Sequence, residues 1–295
     1  MHRRSIYHPL IVGLAVLTVT ALGWHARAQN PPSQNLPSQQ ASFDLHLVLA
    51  VDVSWSMDPD EQRLQRDGYV EAFRDPGVIR AIQSGPARRI AVTYFEWAGA
   101  ESHRLIVPWT VIDGAAAANR LADQLAAREI SRLSMTSISS ALQYAWWLLA
   151  KAPGKAARQV VDISGDGPNN AGPSPVTMIR EEMVGEGIVI NGLPILLKPD
   201  DPGSYGFGLD IPDLDIYYQR CVIGGPGSFM IPIRKREEFA SATRQKLTQE
   251  ISALDVPLVH RTQLAPRQGP AELPPYDCEV GERNWRHYYL DRGRF

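Results

Sequence analysis

The chain has 295 residues, of which 44% are hydrophobic and 21% charged, with a formal net charge of −2. This is an ordinary globular composition, and the middle of the chain is long enough for one α/β domain of about two hundred residues. The slight negative charge offers no electrostatic basis for binding nucleic acid, and the two cysteines have no nearby Cys or His to complete a cysteine-ligated metal site.

Arg3 and Arg4 precede an apolar stretch from Leu10 to Leu22, and Ala26-Arg27-Ala28 offers a small-x-small cleavage site, so residues 1–28 read as a secretory signal peptide. The stretch falls short of the roughly twenty residues of a membrane span, and no other segment approaches that length; the alternative is an uncleaved anchor. Cleavage would remove three arginines and no acid, leaving 27 basic against 32 acidic side chains, a charge of −5. Gln29–Ala41, polar and rich in proline, reads as a tether. The mature chain is expected in the periplasm or outside the cell, with no stable membrane span.

From residue 42 to 254 strands and helices alternate, which predicts an open, mainly parallel, Rossmann-like sheet covered by helices on both faces. Phe43–Met57, FDLHLVLAVDVSWSM, is an apolar strand ending in D-x-S-x-S. Glu61–Arg74 follows as a helix with Leu64, Tyr69, Ala72 and Phe73 on one side, and Ile90–Trp97 as a strand. His103–Trp109 is a short strand, placed at an edge, and Ala115–Ala127 a helix. Ser134–Leu149 has helical spacing in Ile138, Ala141, Leu142, Ala145, Leu148 and Leu149, with Thr136 or Ser134 as candidate caps. Val160–Asn170 is a strand running into Gly165-Asp166-Gly167 and a turn rich in proline and asparagine.

Val176–Val184 is predicted helical, stopped by Gly185 and Gly187, and Ile188–Leu193 is a buried strand. Lys198–Ile211 reads as a turn-rich insertion, Asp213–Cys221 as a helix with Leu214, Tyr217 and Tyr218 on one face, and Ser228–Ile233 as a last strand that Pro232 pushes to a sheet edge. Glu237–Ile251 closes the domain with Phe239, Thr243, Leu247 and Ile251 on its buried side. Residues 255–295 form an extension rich in proline and charge; its Trp285, Tyr288 and Tyr289 are read as packing back on the domain. In an oxidising compartment Cys221 and Cys278 are a reasonable disulfide, stabilising by about 4 kcal/mol on the loop-entropy view. The alternative is two free thiols, since pairing needs Cα atoms within about 7 Å.

Asp52, Ser54 and Ser56 stand at one predicted strand end, Asp166 at another, and Thr136 at a helix start. Each alone is an ordinary turn or capping residue. Together they offer oxygen ligands beyond the carboxyl ends of strands, where open α/β sheets bind ligands, and hard cations such as Mg²⁺ prefer such donors. In this order they resemble the metal-ion-dependent adhesion site (MIDAS) of the von Willebrand factor A-like family: D-x-S-x-S, a Thr opening a helix, and an Asp in a T-D-G-like turn. Ser164-Gly165 departs from that pattern, which usually has a threonine before the aspartate, and so does Met135, where glycine is common.

The resemblance implies that Ser54 and Ser56 contact the metal directly. It has Asp52, Thr136 and Asp166 bind it directly or through water, and a protein or peptide partner complete the shell with an acidic side chain. Mg²⁺ is the expected ion, with Mn²⁺ or Ca²⁺ as alternatives. Within the family the chain is similar to a bacterial group of exported domains of undefined activity that carry C-V-I-G-G-P-G, here Cys221–Gly227. These readings make the chain a binding module rather than an enzyme. The alternative is a metal-dependent phosphoester hydrolase with Asp52 as nucleophile, against which Ser54 stands where phospho-aspartate hydrolases repeat an aspartate. No G-x-S-x-G elbow, H-E-x-x-H pair or G-K-[ST] loop is present.

Overall fold

The computed structural model describes residues 42–197, 210–252 and 275–292. The predicted signal peptide and tether, most of the 198–211 insertion and residues 255–274 lie outside the described residues. Five strands form one sheet in the order β3-β2-β1-β4-β5: β1 (Phe43–Asp52), β2 (Ile90–Trp97), β3 (His103–Ile112), β4 (Ala156–Gly165) and β5 (Val189–Pro194). All neighbours pair in parallel except β3, which runs antiparallel to β2 at the edge, as its sequence suggested. The central β1 is buried along its whole length, the mark of a strand covered on both faces.

Side-chain alternation along β1 divides the core. Leu45, Leu47, Leu49 and Val51 point into a cluster with α1 (Pro59–Arg74), α2 (Pro76–Ser84), α3 (Ala115–Ala126) and α7 (Phe239–Ser252). Val48 and Ala50 point the other way, into a cluster with α4 (Ile138–Leu149), α5 (Val176–Gly185) and the short α6 (Leu214–Tyr217). On that second face a five-residue π-turn, Tyr218–Val222, continues α6, so the helix expected over Asp213–Cys221 divides in two. Among the described residues no helix is long and apolar enough to cross a membrane.

Three expectations change. Helix α2 was not expected between the first helix and β2; it starts at Pro76, with Asp75 accepting from the Gly77 and Val78 N–H groups as its cap. Ser228–Ile233 is not a strand: only isolated bridges, Gly192 with Met230 and Ile195 with Ile233, tie it to β5. The cap of α4 is Ser137, whose Oγ accepts from the Ser140 N–H, and neither Ser134 nor Thr136. The Thr136 side chain is thereby left out of capping.

Candidate metal centre

β1 ends at Asp52 between β2 and β4, with Asp52 opposite Trp97 and Val51 opposite Ser164. The chain then makes a tight turn, closed by the Met57 N–H to Ser54 C=O bond, and enters α1. Asp58 caps that helix reciprocally with Glu61, and Ser54 is bridged to Leu133. Ser54 and Ser56 are thus held between a strand end and a capped helix start. The Ser54 N–H donates to Asp52 Oδ1 at 2.7 Å. Ser54 Oγ lies 2.8 Å from Ser56 Oγ, and Ser56 Oγ donates to Asp166 Oδ1 at 2.6 Å. Four of the five sequence-predicted residues therefore form one chain of contacts across two strand ends.

Thr136 is brought to the same rim by backbone pairing. Its N–H donates to Asn170 Oδ1 at 2.9 Å, and the Asn170 N–H returns a 2.8 Å bond to the Thr136 carbonyl. The preceding residue, Met135, has φ of +71°, a left-handed conformation that a side chain strains and glycine adopts freely. That is the physical reason glycine suits this position. The Thr136 hydroxyl faces Gly167, where a Cβ would come 3.9 Å from Oγ1.

Asp52 is fully buried and Asp166 nearly so, at 7% exposure. Burial first, and the Asp166 charge second, push the Asp52 carboxyl up to about 8, against the pull of hydrogen bonds from Ser54 and from the Asp166 backbone. Asp52 Oδ2 has no hydrogen-bond partner among the described residues, although buried polar atoms are nearly always paired. The donor set, two carboxylates and three hydroxyls, is all oxygen and carries a formal charge of −2 when ionised. It fits a hard divalent cation in chemistry and in charge.

Four contributors escaped the sequence reading. Asp210 brings its carboxylate to the same glycine, with Oδ1 3.8 Å from a Cβ placed on Gly167; an acid in a turn-rich segment gave no signal of that. Asn169 and Asn170, read only as turn formers, hold the start of α4: Asn169 Oδ1 accepts from the Ser139 N–H at 3.0 Å, and Asn170 pairs with Thr136. Tyr218, taken as one apolar helix face, brings its phenol beside Gly165.

The far end of the chain returns to this loop. Cys221 and Cys278 form a disulfide with Cα atoms 5.5 Å apart, joining the π-turn to the segment before α8 (Val280–Arg292). The Tyr276 ring meets Tyr217, whose hydroxyl accepts from the Asn169 N–H. Asn169 Nδ2 donates to Glu282 Oε1 at 2.6 Å. Trp285 stacks on Tyr288, both half-buried. Gly281 lies directly on the Asn169 carbonyl, where a Cβ would come within 2.0 Å of the oxygen. Gly281→Val should therefore lift α8 off the loop and lower stability by about 1–3 kcal/mol, the usual range for overpacking. Thermal unfolding of the oxidised protein checks this, and a melting temperature equal to wild type would mean that α8 adds no stability through this contact.

A cleft of about 560 Å³ opens beside the Ser54–Ser56 turn, lined among others by Arg63, Arg66, Arg128 and Arg132 against Asp67 and Glu129. Arg132 ties the cleft to the turn: its Nη2 donates to the Trp55 carbonyl and its own carbonyl accepts from Trp55 Nε1. The Trp55 side chain stands out from the rim at 62% exposure.

A family model described as "Protein of unknown function (DUF1194)" matches residues 42–255. The chain belongs to this family. No curated protein matches it. Among solved structures the DUF1194 domain is similar to proximal thread matrix protein 1 (PTMP1) from the mussel byssus, in a structure described as having a zinc-occupied MIDAS motif. Identity is 13% over 72% of this chain and 46% of that one, with a TM-score of 0.50. The pilus adhesin SpaC from Lactobacillus rhamnosus GG matches at 13% identity over 71% of this chain and 31% of its own, with a TM-score of 0.51. A von Willebrand factor type A protein from Catenulispora acidiphila matches at 15% identity, 71% and 43% coverage, and a TM-score of 0.48. The chain spans less than half the length of each. At these identities the likeness is one of fold, which the DUF1194 domain shares with the byssus protein and the pilus adhesin.

Proposed function

We propose that the protein is an exported binding module whose divalent cation is held by Asp52, Ser54, Ser56, Thr136 and Asp166 and recruits an acidic side chain of a protein or peptide partner. The observation that carries this reading is the contact chain Asp52–Ser54–Ser56–Asp166 at adjacent strand ends, with the buried Asp52 Oδ2 left over. When bound, the cation offsets the charge of the two carboxylates and supplies a Lewis-acidic contact for the partner's carboxylate. The protein's own part is to fix the oxygens. Ser54 holds the Asp52 carboxylate through its N–H, Ser56 holds Asp166, and the Asn170 pairing holds Thr136.

Mg²⁺ is the proposed ion on donor hardness, with Mn²⁺ and Ca²⁺ as alternatives, and the zinc in the MIDAS motif of the byssus protein makes Zn²⁺ worth including in a titration. The exposed Trp55 next to the turn offers a partner an apolar contact beside the site. Residues 1–28 as signal peptide, 29–41 as tether, 42–254 as the binding domain and 255–295 as an extension complete the proposal. The Cys221–Cys278 disulfide is in keeping with an oxidising compartment, periplasmic or secreted.

Isothermal titration of Mg²⁺ into the wild type and Asp52→Ala tests the site. The variant should lose metal binding while keeping its far-ultraviolet circular dichroism. Equal Mg²⁺ affinity in the two proteins would sink the proposal.

A further inference from the structure

Tyr218 is fully buried, yet its phenol reaches the candidate metal centre and the reading above gives it no task. It opens the π-turn that follows α6, a kind of local widening often found at functional sites. Two glycines make its path. A Cβ on Gly192 of β5 would stand 2.7 Å from the ring at Cδ1, and a Cβ on Gly165, at the end of β4, would stand 2.9 Å from the phenol oxygen. Adjacent strands thus omit a side chain where the ring passes and again where its hydroxyl arrives.

The point above Gly165 that lies 2.9 Å from the phenol oxygen also lies 2.9 Å from Asp52 Oδ2. The two oxygens are therefore within twice that distance of each other, in reach of a direct bond after a small shift or of one bridging water. Both are buried, and neither has a hydrogen-bond partner among the described residues. A lone buried orphan costs about 1–3 kcal/mol and is a packing defect. Here a donor and an acceptor are orphaned on opposite sides of one glycine, which makes them a matched pair. After burial, the Asp52 charge is the largest influence raising the pKa of Tyr218, so the phenol remains a donor.

We infer that Tyr218 is a positioning residue for the metal site: its hydroxyl donates to Asp52 Oδ2, directly or through one water, while the Ser54 N–H holds Oδ1. The inference rests on the proposed metal site and adds to it a residue that touches no metal. With both oxygens held, the Asp52 carboxylate has one orientation available. Gly165 then has a specific reason to be glycine, since any side chain there would enter the space between the two oxygens.

The test is Mg²⁺ titration and thermal unfolding, with and without Mg²⁺, on full-length wild type, Tyr218→Phe, Gly165→Ala and Asp52→Ala. Phenylalanine keeps the ring but leaves the buried Asp52 Oδ2 without its donor, so the melting temperature without metal should fall slightly while the fold is kept. Mg²⁺ affinity should fall by about tenfold or more, as is typical when a group orienting a metal ligand is removed, and the Mg²⁺-induced rise in melting temperature should shrink. Gly165→Ala, which puts a methyl between the oxygens, should match that loss. Wild-type Mg²⁺ affinity in Tyr218→Phe overturns the inference, and if Asp52→Ala still fails to bind, the metal site itself stands. Absence of Mg²⁺ binding in the wild type overturns both.

Discussion

Lys246→Met is expected to destabilise the protein by about 3–5 kcal/mol at pH 8, the usual consequence of removing one member of a buried ionic group. Lys246 on α7 is fully buried; its Nζ lies 2.7 Å from Asp162 Oδ1 on β4 and also bonds Glu250 one turn further along the helix. Asn191 on β5 donates to the same Glu250 oxygen at 2.9 Å, so one ammonium fastens the helix to two strands. Methionine fills a similar volume but leaves two buried carboxyls without a cation. Burial raises both carboxyls, Glu250 to about 7, even with Lys246 in place.

The sign of the pH effect follows from those shifts. Between the ordinary value near 4.5 and about 7 the folded protein holds a proton on Glu250 that the unfolded chain has lost. Stability therefore falls as pH rises through that window and then levels. Without Lys246 the folded-state values climb further and the window extends upward. The deficit of Lys246→Met should accordingly be larger at pH 8 than at pH 5. Urea unfolding at both values measures it, and a loss under about 1 kcal/mol at pH 8 would mean that the cluster adds little net stability.

The elements that sequence located well are those whose apolar spacing and burial agree. Ile90–Trp97 coincides with β2, and the four residues assigned to the buried side of the last helix, Phe239, Thr243, Leu247 and Ile251, are all buried. Helix α2 was hidden by its own start: Asp75-Pro76-Gly77 has the composition of a turn, and only Val78 and Ile82 are buried in the helix that follows. Ser228–Ile233 had a strand's composition, but ladder pairing is a long-range property, and the left-handed Gly225 and Gly227 turn the chain just before it.

The candidate site divides in the same way. Its five ligand candidates announce themselves because a motif spaces them locally around strand ends. The groups that hold them do not. Asn169 and Asn170 reach back 30 and 34 residues, to Ser139 and Thr136 at the start of α4, and Glu282 reaches 113 residues to Asn169. Such partners are chosen by how helices pack on the sheet, which no local pattern encodes.

Mg²⁺ affinity should rise about tenfold per pH unit from pH 6 towards 8 and then level. The Asp52 carboxyl is raised from its ordinary value to about 8, chiefly by burial and next by the Asp166 charge, so below that pH a proton occupies the place a cation needs. Each unit of pH below the midpoint then lowers the apparent binding free energy by about 1.4 kcal/mol. Stability without metal runs the opposite way. The folded protein holds a proton the unfolded chain releases, so it weakens as pH rises from about 4 to 8. Saturating Mg²⁺ offsets that weakening by binding only the folded state. The two trends cross: acid favours the metal-free fold, and mild alkali favours the metal-loaded one. Titrations at pH 6, 7, 8 and 9, beside melting curves with and without Mg²⁺, measure both limbs. A flat affinity from pH 6 to 8 would show that the Asp52 carboxyl is already ionised before the metal arrives. In that case water, rather than a proton, must offset the cost of its burial.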